Sequence, residues 1–481
     1  MVSDFFYPNL GGVEHHIWSL SQRLLALGHT VIVITHSYGD RKGVRYLSGG
    51  LKVYYCPLAP LAANACIPTF TASLPLLRSI LLREAITIVH AHQATSTLGS
   101  ESIVHASMME GIATVYTDHS LFGCDDIAGV ILNRVLQTTL ATVDAVIAVS
   151  HACRENFILR TRTMIRAPVY VIPNAVDPTR FRPRDAAEMC PEAGLEETPP
   201  RCVTNQTVRH VHEMVSGTCA SSNELCFPYY ICRRIRVVVI SRLVYRKGVD
   251  LLVGLLPAVC QRLPHVDFVI GGSGSMALAL HEMVERYGLE DRVEFYGSVP
   301  HAKVRDVLVT GDVFLNCSLT ESFCMAILEA ACCGLLVVST NVGGVPEVLP
   351  PDRILLAEPN VPSLVYALVR AIQQQELTSS EATLAERWSV HHRLEDMYSW
   401  DRVARETEQV YDTIAARPRK SLSERLSCYQ AIGTVAGWVA CFLALTVELW
   451  HLYVQWWMPR NTIARGPDVC CHLRPQPEET R

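Results

Sequence analysis

Apolar residues gather in short unbroken runs along this chain rather than in alternation. Val31-Ile32-Val33-Ile34-Thr35, Ile86-Thr87-Ile88-Val89-His90 and Ala145-Val146-Ile147-Ala148-Val149 are of this kind. Such runs predict parallel strands buried on both faces. Helical stretches lie between them. One runs from Glu14 to Leu27 and stops at Gly28, where glycine suits a left-handed cap. A second series opens at Arg236-Val237-Val238-Val239-Ile240. It continues with Val266-Asp267-Phe268-Val269-Ile270, Val293-Glu294-Phe295-Tyr296, Val313-Phe314-Leu315 and Leu335-Leu336-Val337-Val338-Ser339. Strands alternating with helices predict an α/β protein of two Rossmann-like, doubly wound domains, residues 1–183 and 235–416. A helix from Arg393 to about Ala416 closes the second, and its composition is polar over much of its surface.

Residues 184–234 break the pattern. Cys190, Cys202, Cys219, Cys226 and Cys232 lie here without periodicity, and Pro199-Pro200 interrupts the stretch. It reads as an irregular insertion at the domain connection. Asn205-Gln206-Thr207 has the form of a glycosylation acceptor, but a cytosolic segment never meets the modifying enzyme.

Residues 428–447 carry no charge, which is enough helix to cross a hydrocarbon core of about 30 Å. Trp450, Trp456 and Trp457 follow, and Arg417, Arg419, Lys420 and Arg425 precede. The positive flank predicts a cytosolic N-terminal part and a short lumenal tail, 448–481, although Arg460 and Arg465 pull the other way. A buried core helix is the alternative.

Composition narrows the class. The chain is 49% hydrophobic and 19% charged, with a net charge of -5. That suits a packed protein and offers no basic excess for nucleic acid. Its 18 cysteines show no metal-ligand spacing. Cys317, Cys324, Cys332 and Cys333 sit in apolar runs, as expected of reduced thiols acting as small hydrophobes. The start, Met1-Val2-Ser3-Asp4, lacks the basic flank and apolar run of a signal peptide.

Three segments carry candidate chemistry. Gly11-Gly12 lies between the first strand and the first helix, where the backbone can approach a phosphate or sugar. It is equally compatible with a plain turn. The same holds for Gly271-Gly272-Ser273-Gly274. Ser241-Arg242-Leu243-Val244-Tyr245-Arg246-Lys247-Gly248 follows the first strand of the second domain, at the ligand-facing end of such a sheet. Arg242 and Lys247 there could stabilise a diphosphate leaving group, or form a solvated turn. The third segment runs Asn316 to Ala330. Glu321 falls in a strand-to-helix turn, and the amides of Ser322, Phe323 and Cys324 open the helix. Glu329 sits in an otherwise apolar helix, where an unpaired carboxylate is costly. If all were helical, the two carboxylates would stand roughly 12 Å and about 80° apart, suiting two ends of an extended ligand.

Taken with Gly343-Gly344-Val345-Pro346-Glu347, these pieces resemble the retaining glycosyltransferases of the GT-B fold, family 4. Four further stretches resemble, more narrowly, the enzymes that open glycosylphosphatidylinositol-anchor synthesis. They are Asp4–Asn9, Thr117-Asp118-His119-Ser120-Leu121-Phe122-Gly123, Val171–Pro178 and Ser241–Gly248. The likeness covers about residues 1–183 and 235–460. It implies UDP-N-acetylglucosamine as donor, the inositol 6-hydroxyl of phosphatidylinositol as acceptor, and retention by a front-face route. It assigns Arg242 and Lys247 to the diphosphate, and Glu321 with the amides after it to the donor sugar. Glu329 holds the ribose, and His119 lies near the reacting sugar. Gly11, Gly12 and Gly272 border the donor. No metal is implied. The setting is the cytosolic face of the endoplasmic reticulum membrane, in a complex with other membrane subunits.

The chain departs from that pattern in three places. It opens inside the family's first strand, which predicts lost ladder bonds and core contacts. The 184–234 insertion sits where the two domains hinge. Ser275 replaces a customary proline. An inactive member of the same complex, or a related lipid glycosyltransferase using another nucleotide sugar, stands as the alternative. A nicotinamide oxidoreductase would need G-x-G-x-x-G after the first strand, and Gly11-Gly12 does not supply it.

Overall fold

The β-branched runs form strands within one or two residues of their expected bounds. The computed structural model describes the chain except residues 10, 63–64, 70, 124–126, 162–164, 186–187, 189–233, 378–379 and 467–481. Almost all of the 184–234 insertion, with its five cysteines and Asn205, therefore lies outside the described residues, as does the end of the expected lumenal tail, 467–481. So does Leu10.

In the N-terminal half, Ile32–His36 pairs in parallel with Lys52–Cys56, and Gly43–Tyr46 adds antiparallel at the edge. Ile88–His92, Ala113–Asp118, Ala145–Ala148 and Val169–Val171 form a parallel set. The opening residues join the two groups, because Val2 bridges both Ile34 and Ala91. Val2 N donates to His90 O at 2.8 Å, and Ile34 N donates to Met1 O at 2.9 Å. Met1–Ser3 thus keeps a ladder on both sides, and Val2 is buried.

The C-terminal half holds a six-stranded parallel sheet. Its order is Val293–Gly297, Val266–Gly271, Ile235–Ile240, Val313–Asn316, Leu336–Thr340, Ile354–Ala357. The order reverses beside Ile235–Ile240, and ligands bind doubly wound sheets at the strand ends around such a reversal. The loops after Ile240, Gly271 and Asn316 all open there.

One apolar cluster crosses both halves. Val115 and Ile147 of the first share it with Phe314, Ile327 and Val337 of the second. The expected closing helix is two helices, Ser380–Met397 and Trp400–Ala415. Ser399 breaks them by accepting from Asp401 N, as an N-cap does. The second helix buries Trp400, Val403, Ala404, Thr407, Val410, Tyr411 and Ile414, a stripe at helical spacing. It returns to the N-terminal half, where Tyr411 bonds His90 Nδ1 at 2.7 Å.

The apolar C-terminal helix runs Thr434–Trp457, later than its expected start. A shorter helix, Leu422–Gln430, precedes it. The break falls at Gly433, whose φ is 145°. Gly437, Ala440, Cys441, Ala444, Val447, His451 and Val454 form the buried stripe of the long helix. Trp438, Phe442, Leu449 and Trp456 are exposed on the opposite side. Cys317, Cys324, Cys332 and Cys333 are buried free thiols, as expected, and burial pushes the Cys332 thiol up to about 12.

Candidate functional site

A cleft of about 1290 Å³ lies between the two halves. Gly11, Gly12 and His15 line it from the N-terminal side. Arg242, Gly272, His301 and Glu329 line it from the other. Five of the expected site residues therefore border one space. Gly272 has φ 145°, and a Cβ there would sit 1.8 Å from Ser241 O, so only glycine lets the two loops touch.

The first glycine loop works differently from expectation. Gly11 is the N-cap of the helix Gly12–Ala26, and Glu14 lies in its first turn. A Cβ at Gly11 would meet Glu14 Oε2 at 2.5 Å. The chain's own carboxylate thus occupies the helix N-terminus, where its charge is favourable. Burial raises the Glu14 pKa, and Arg242 across the cleft offsets part of that rise.

Lys247 and Glu321 meet as an ion pair beside the cleft. Ser318 Oγ also donates to Glu321, at 2.7 Å. The pairing follows from the loop: Gly248 at φ 68° packs its backbone against Cys317 O, where a Cβ would stand at 1.8 Å. Lys247 is thereby fixed next to the Asn316–Cys324 segment. Glu321 and Glu329 do not share a helix. Met325–Cys332 is helical, and Cys324 before it has φ 71°. Helical rise and rotation therefore do not govern their separation. The costly buried carboxylate of Glu329 has a partner, His301 Nε2 at 3.3 Å.

Ser322 Oγ donates to His119 O across the halves, and Ser150 Oγ donates to Ser322 O at 2.6 Å. Phe323 turns its ring into the core against Tyr398, with centroids 5.9 Å apart. His119 sits on a loop pinned by its neighbours. The Asp118 carboxylate accepts from Arg160 Nη1 at 2.8 Å, with both side chains fully buried. The Arg160 guanidinium stacks 4.8 Å from the Phe122 ring centroid. Half-buried His119 faces His16 and His92. Burial holds all three imidazoles neutral, His16 down to about 4 and the others well below the ordinary value.

The sequence reading missed His15, His16, His92 and His301. His15 and His16 follow the glycine pair after Val13 and Glu14, so their place in the first helix was a usable signal. His301 opens a short 3-10 helix, His301–Lys303, after a strand, and only its contact with Glu329 gives it meaning. Glu347 lay within a recognised motif, yet its task is structural. It accepts from His151 N at 2.6 Å and Ala152 N at 2.8 Å, capping a helix of the other half.

Residues 36–126 match the family profile described as PIGA (GPI anchor biosynthesis), and residues 233–388 match glycosyl transferases group 1. The chain is 47% identical over 476 residues to a phosphatidylinositol N-acetylglucosaminyltransferase subunit of Arabidopsis thaliana. That alignment covers 98% of this chain and 95% of the relative. The Homo sapiens protein of the same name is 43% identical, over 97% of this chain and 88% of that one. Among solved structures, sucrose-phosphate synthase from Thermosynechococcus elongatus superposes with TM-score 0.63 at 19% identity, covering 84% of this chain and 94% of that one. Anabaena Alr3699/HepE in complex with UDP-glucose gives 0.60 at 17%, covering 85% and 98%. These two likenesses show the fold, which is GT-B.

Proposed function

The chain belongs to the family of these phosphatidylinositol N-acetylglucosaminyltransferase subunits, and from that premise we propose that it transfers N-acetylglucosamine from UDP-N-acetylglucosamine to the inositol 6-hydroxyl of phosphatidylinositol. It is a glycosyltransferase of glycosylphosphatidylinositol-anchor synthesis, acting at the first step. The observation that carries the proposal is the single cleft bordered by Gly11, Gly12, Arg242, Gly272 and Glu329.

In this reading the uridine diphosphate lies over the strand ends of the C-terminal sheet. Glu329 accepts from the ribose hydroxyls, releasing His301. Arg242 and Lys247 meet the charge that builds on the leaving diphosphate, and the reaction takes no metal cofactor. Glu321, freed from Lys247, holds the donor sugar with the amides of Ser322, Phe323 and Cys324. His119 stands beside the reacting carbon. The diphosphate oxygen accepts the acceptor's proton on the face it leaves, so configuration is retained.

The protein works within a membrane complex, with its two α/β halves on the cytosolic face of the endoplasmic reticulum and Thr434–Trp457 crossing once. A second reading of the anchor rests on its contacts. Trp450 Nε1 donates to Thr71 O at 2.8 Å, and Arg78 Nη1 donates to Met458 O at 2.7 Å. Those bonds hold the helix along the N-terminal half, as in an anchor lying in the membrane plane. The deciding test of activity uses microsomes from cells that lack the native protein. Adding this chain restores labelled N-acetylglucosaminyl-phosphatidylinositol from UDP-N-acetylglucosamine. A chain that inserts in the complex, binds uridine diphosphate and yields no product sinks the proposal.

A further inference from the structure

Three imidazoles delivered by three separate elements meet inside the N-terminal half. His16 comes from the helix Gly12–Ala26, His92 from the end of the strand Ile88–His92, and His119 from the loop after Ala113–Asp118. One ring nitrogen of each lies within 4.8 Å of the other two. His92 Nδ1 and His119 Nε2 are 3.3 Å apart. Two nitrogens of a tetrahedral zinc site stand about 3.3 Å apart when each is about 2.0–2.1 Å from the metal.

The protonation pattern suits the same end. His16 Nδ1 lies 2.8 Å from Asn174 Oδ1, an atom that can only accept. The proton of this neutral ring is therefore on Nδ1, and Nε2 keeps its lone pair. A bonded acceptor on the far nitrogen is how metal-binding histidines are oriented and held in the ligating tautomer. Burial keeps His92 and His119 neutral as well, and neutral imidazole is the form that ligates. The donor set is all nitrogen. That selects zinc, cobalt, nickel or copper over magnesium and manganese, which prefer oxygen.

We propose that His16, His92 and His119 form a binding site for a transition-metal dication of the zinc class, with its fourth position left to water. The site is distinct from the donor's diphosphate, whose charge Arg242 and Lys247 meet. It rests on the proposed function only for one consequence. A bound ion occupies His119 Nε2 and withdraws that side chain from the donor sugar, so the ion acts as an inhibitor. Binding is ligand exchange: a metal-bound water leaves for each nitrogen, and the proton shared between His92 and His119 moves to the outer nitrogen of one ring.

The test reads metal binding directly, so it is independent of turnover. The full chain, purified in detergent and stripped with a chelator, is titrated with Co²⁺. One ion per chain gives the visible absorption of a four-coordinate site, and Zn²⁺ displaces it. His16→Gln and His92→Gln each weaken binding at least about tenfold. His392→Ala, in the exposed group His391, His392 and Glu395, leaves it unchanged. X-ray absorption of the wild-type complex counts three imidazole nitrogens, which keeps the proposal decidable if the histidine variants do not fold. Absence of the band, its survival in His92→Gln, its loss in His392→Ala, or a carboxylate in the absorption spectrum overturns it.

Discussion

In the proposed function Lys247 serves two structural states, with and without the donor. Its ammonium pairs with Glu321, so the proposed function requires donor binding to exchange that partner for the diphosphate. Glu329 makes the corresponding exchange with His301. Replacing Lys247 by Ala removes a charge needed most in the transition state, and kcat falls about a hundredfold or more. Glu329→Ala removes the proposed ribose contact, remote from the breaking bond. Its effect falls first on the donor KM, read from initial rates over a donor series. Equal wild-type constants in both variants would remove these two roles. The buried histidines make a separate prediction. His16 falls from 6.5 to about 4 on folding, so the unfolded chain takes up its proton first as pH drops. Stability from this group is intact above about 6.5 and is lost toward pH 4, with a slope approaching about 1.4 kcal/mol per pH unit. Thermal unfolding between pH 7.5 and 5 measures it, and His16→Gln flattens the slope. Parallel slopes would contradict the assignment.

At the scale of elements, short helices are held by groups from across the seam. Glu347 caps the helix His151–Thr161 from the other half. The cap is solvent-exposed, so Glu347→Gln costs about 0.5–1 kcal/mol. Denaturant unfolding reads this as a lower midpoint at unchanged m-value. An unchanged midpoint would mean that the contact carries no stability. Nearby, Gly344 is needed because a Cβ would stand 2.1 Å from Ser322 O. The strand runs were legible because both faces of a parallel sheet are buried, which leaves continuous apolar sequence. The break at Ser399 was harder to read. A serine cap between two helices differs from a serine within one only by the bonds it makes. Lys52–Cys56 was missed because Lys52, Tyr54 and Tyr55 interrupt its apolar reading. All five of its residues are buried, and Lys52 pairs with Glu84 at 2.6 Å.

For the whole molecule, the open question is how the long apolar helix meets the membrane. Its exposed side carries Trp438, Phe442 and Trp456, at 67%, 70% and 76% exposure. Both readings anchor the protein, and the position of its far end separates them. With Asn461→Cys in sealed microsomes, a membrane-impermeant maleimide leaves the thiol unlabelled if the helix spans the bilayer. Labelling without detergent would establish the in-plane anchor. Controls at exposed Ser423→Cys label in both cases.

Sequence alone determined the two α/β halves, the apolar C-terminal helix and the family resemblance, because these are written in local composition and contiguous motifs. It also placed Arg242 and Gly272 after strand ends, where topology brings ligands, and Glu329 in the helix that follows one. Tertiary structure decided which side chains meet. It paired Lys247 with Glu321, Glu329 with His301 and Glu347 with a helix of the other half. It gathered His16, His92 and His119 from positions far apart in the chain. Such meetings depend on packing of the two sheets and the return of Trp400–Ala415 across them, and no local pattern records that.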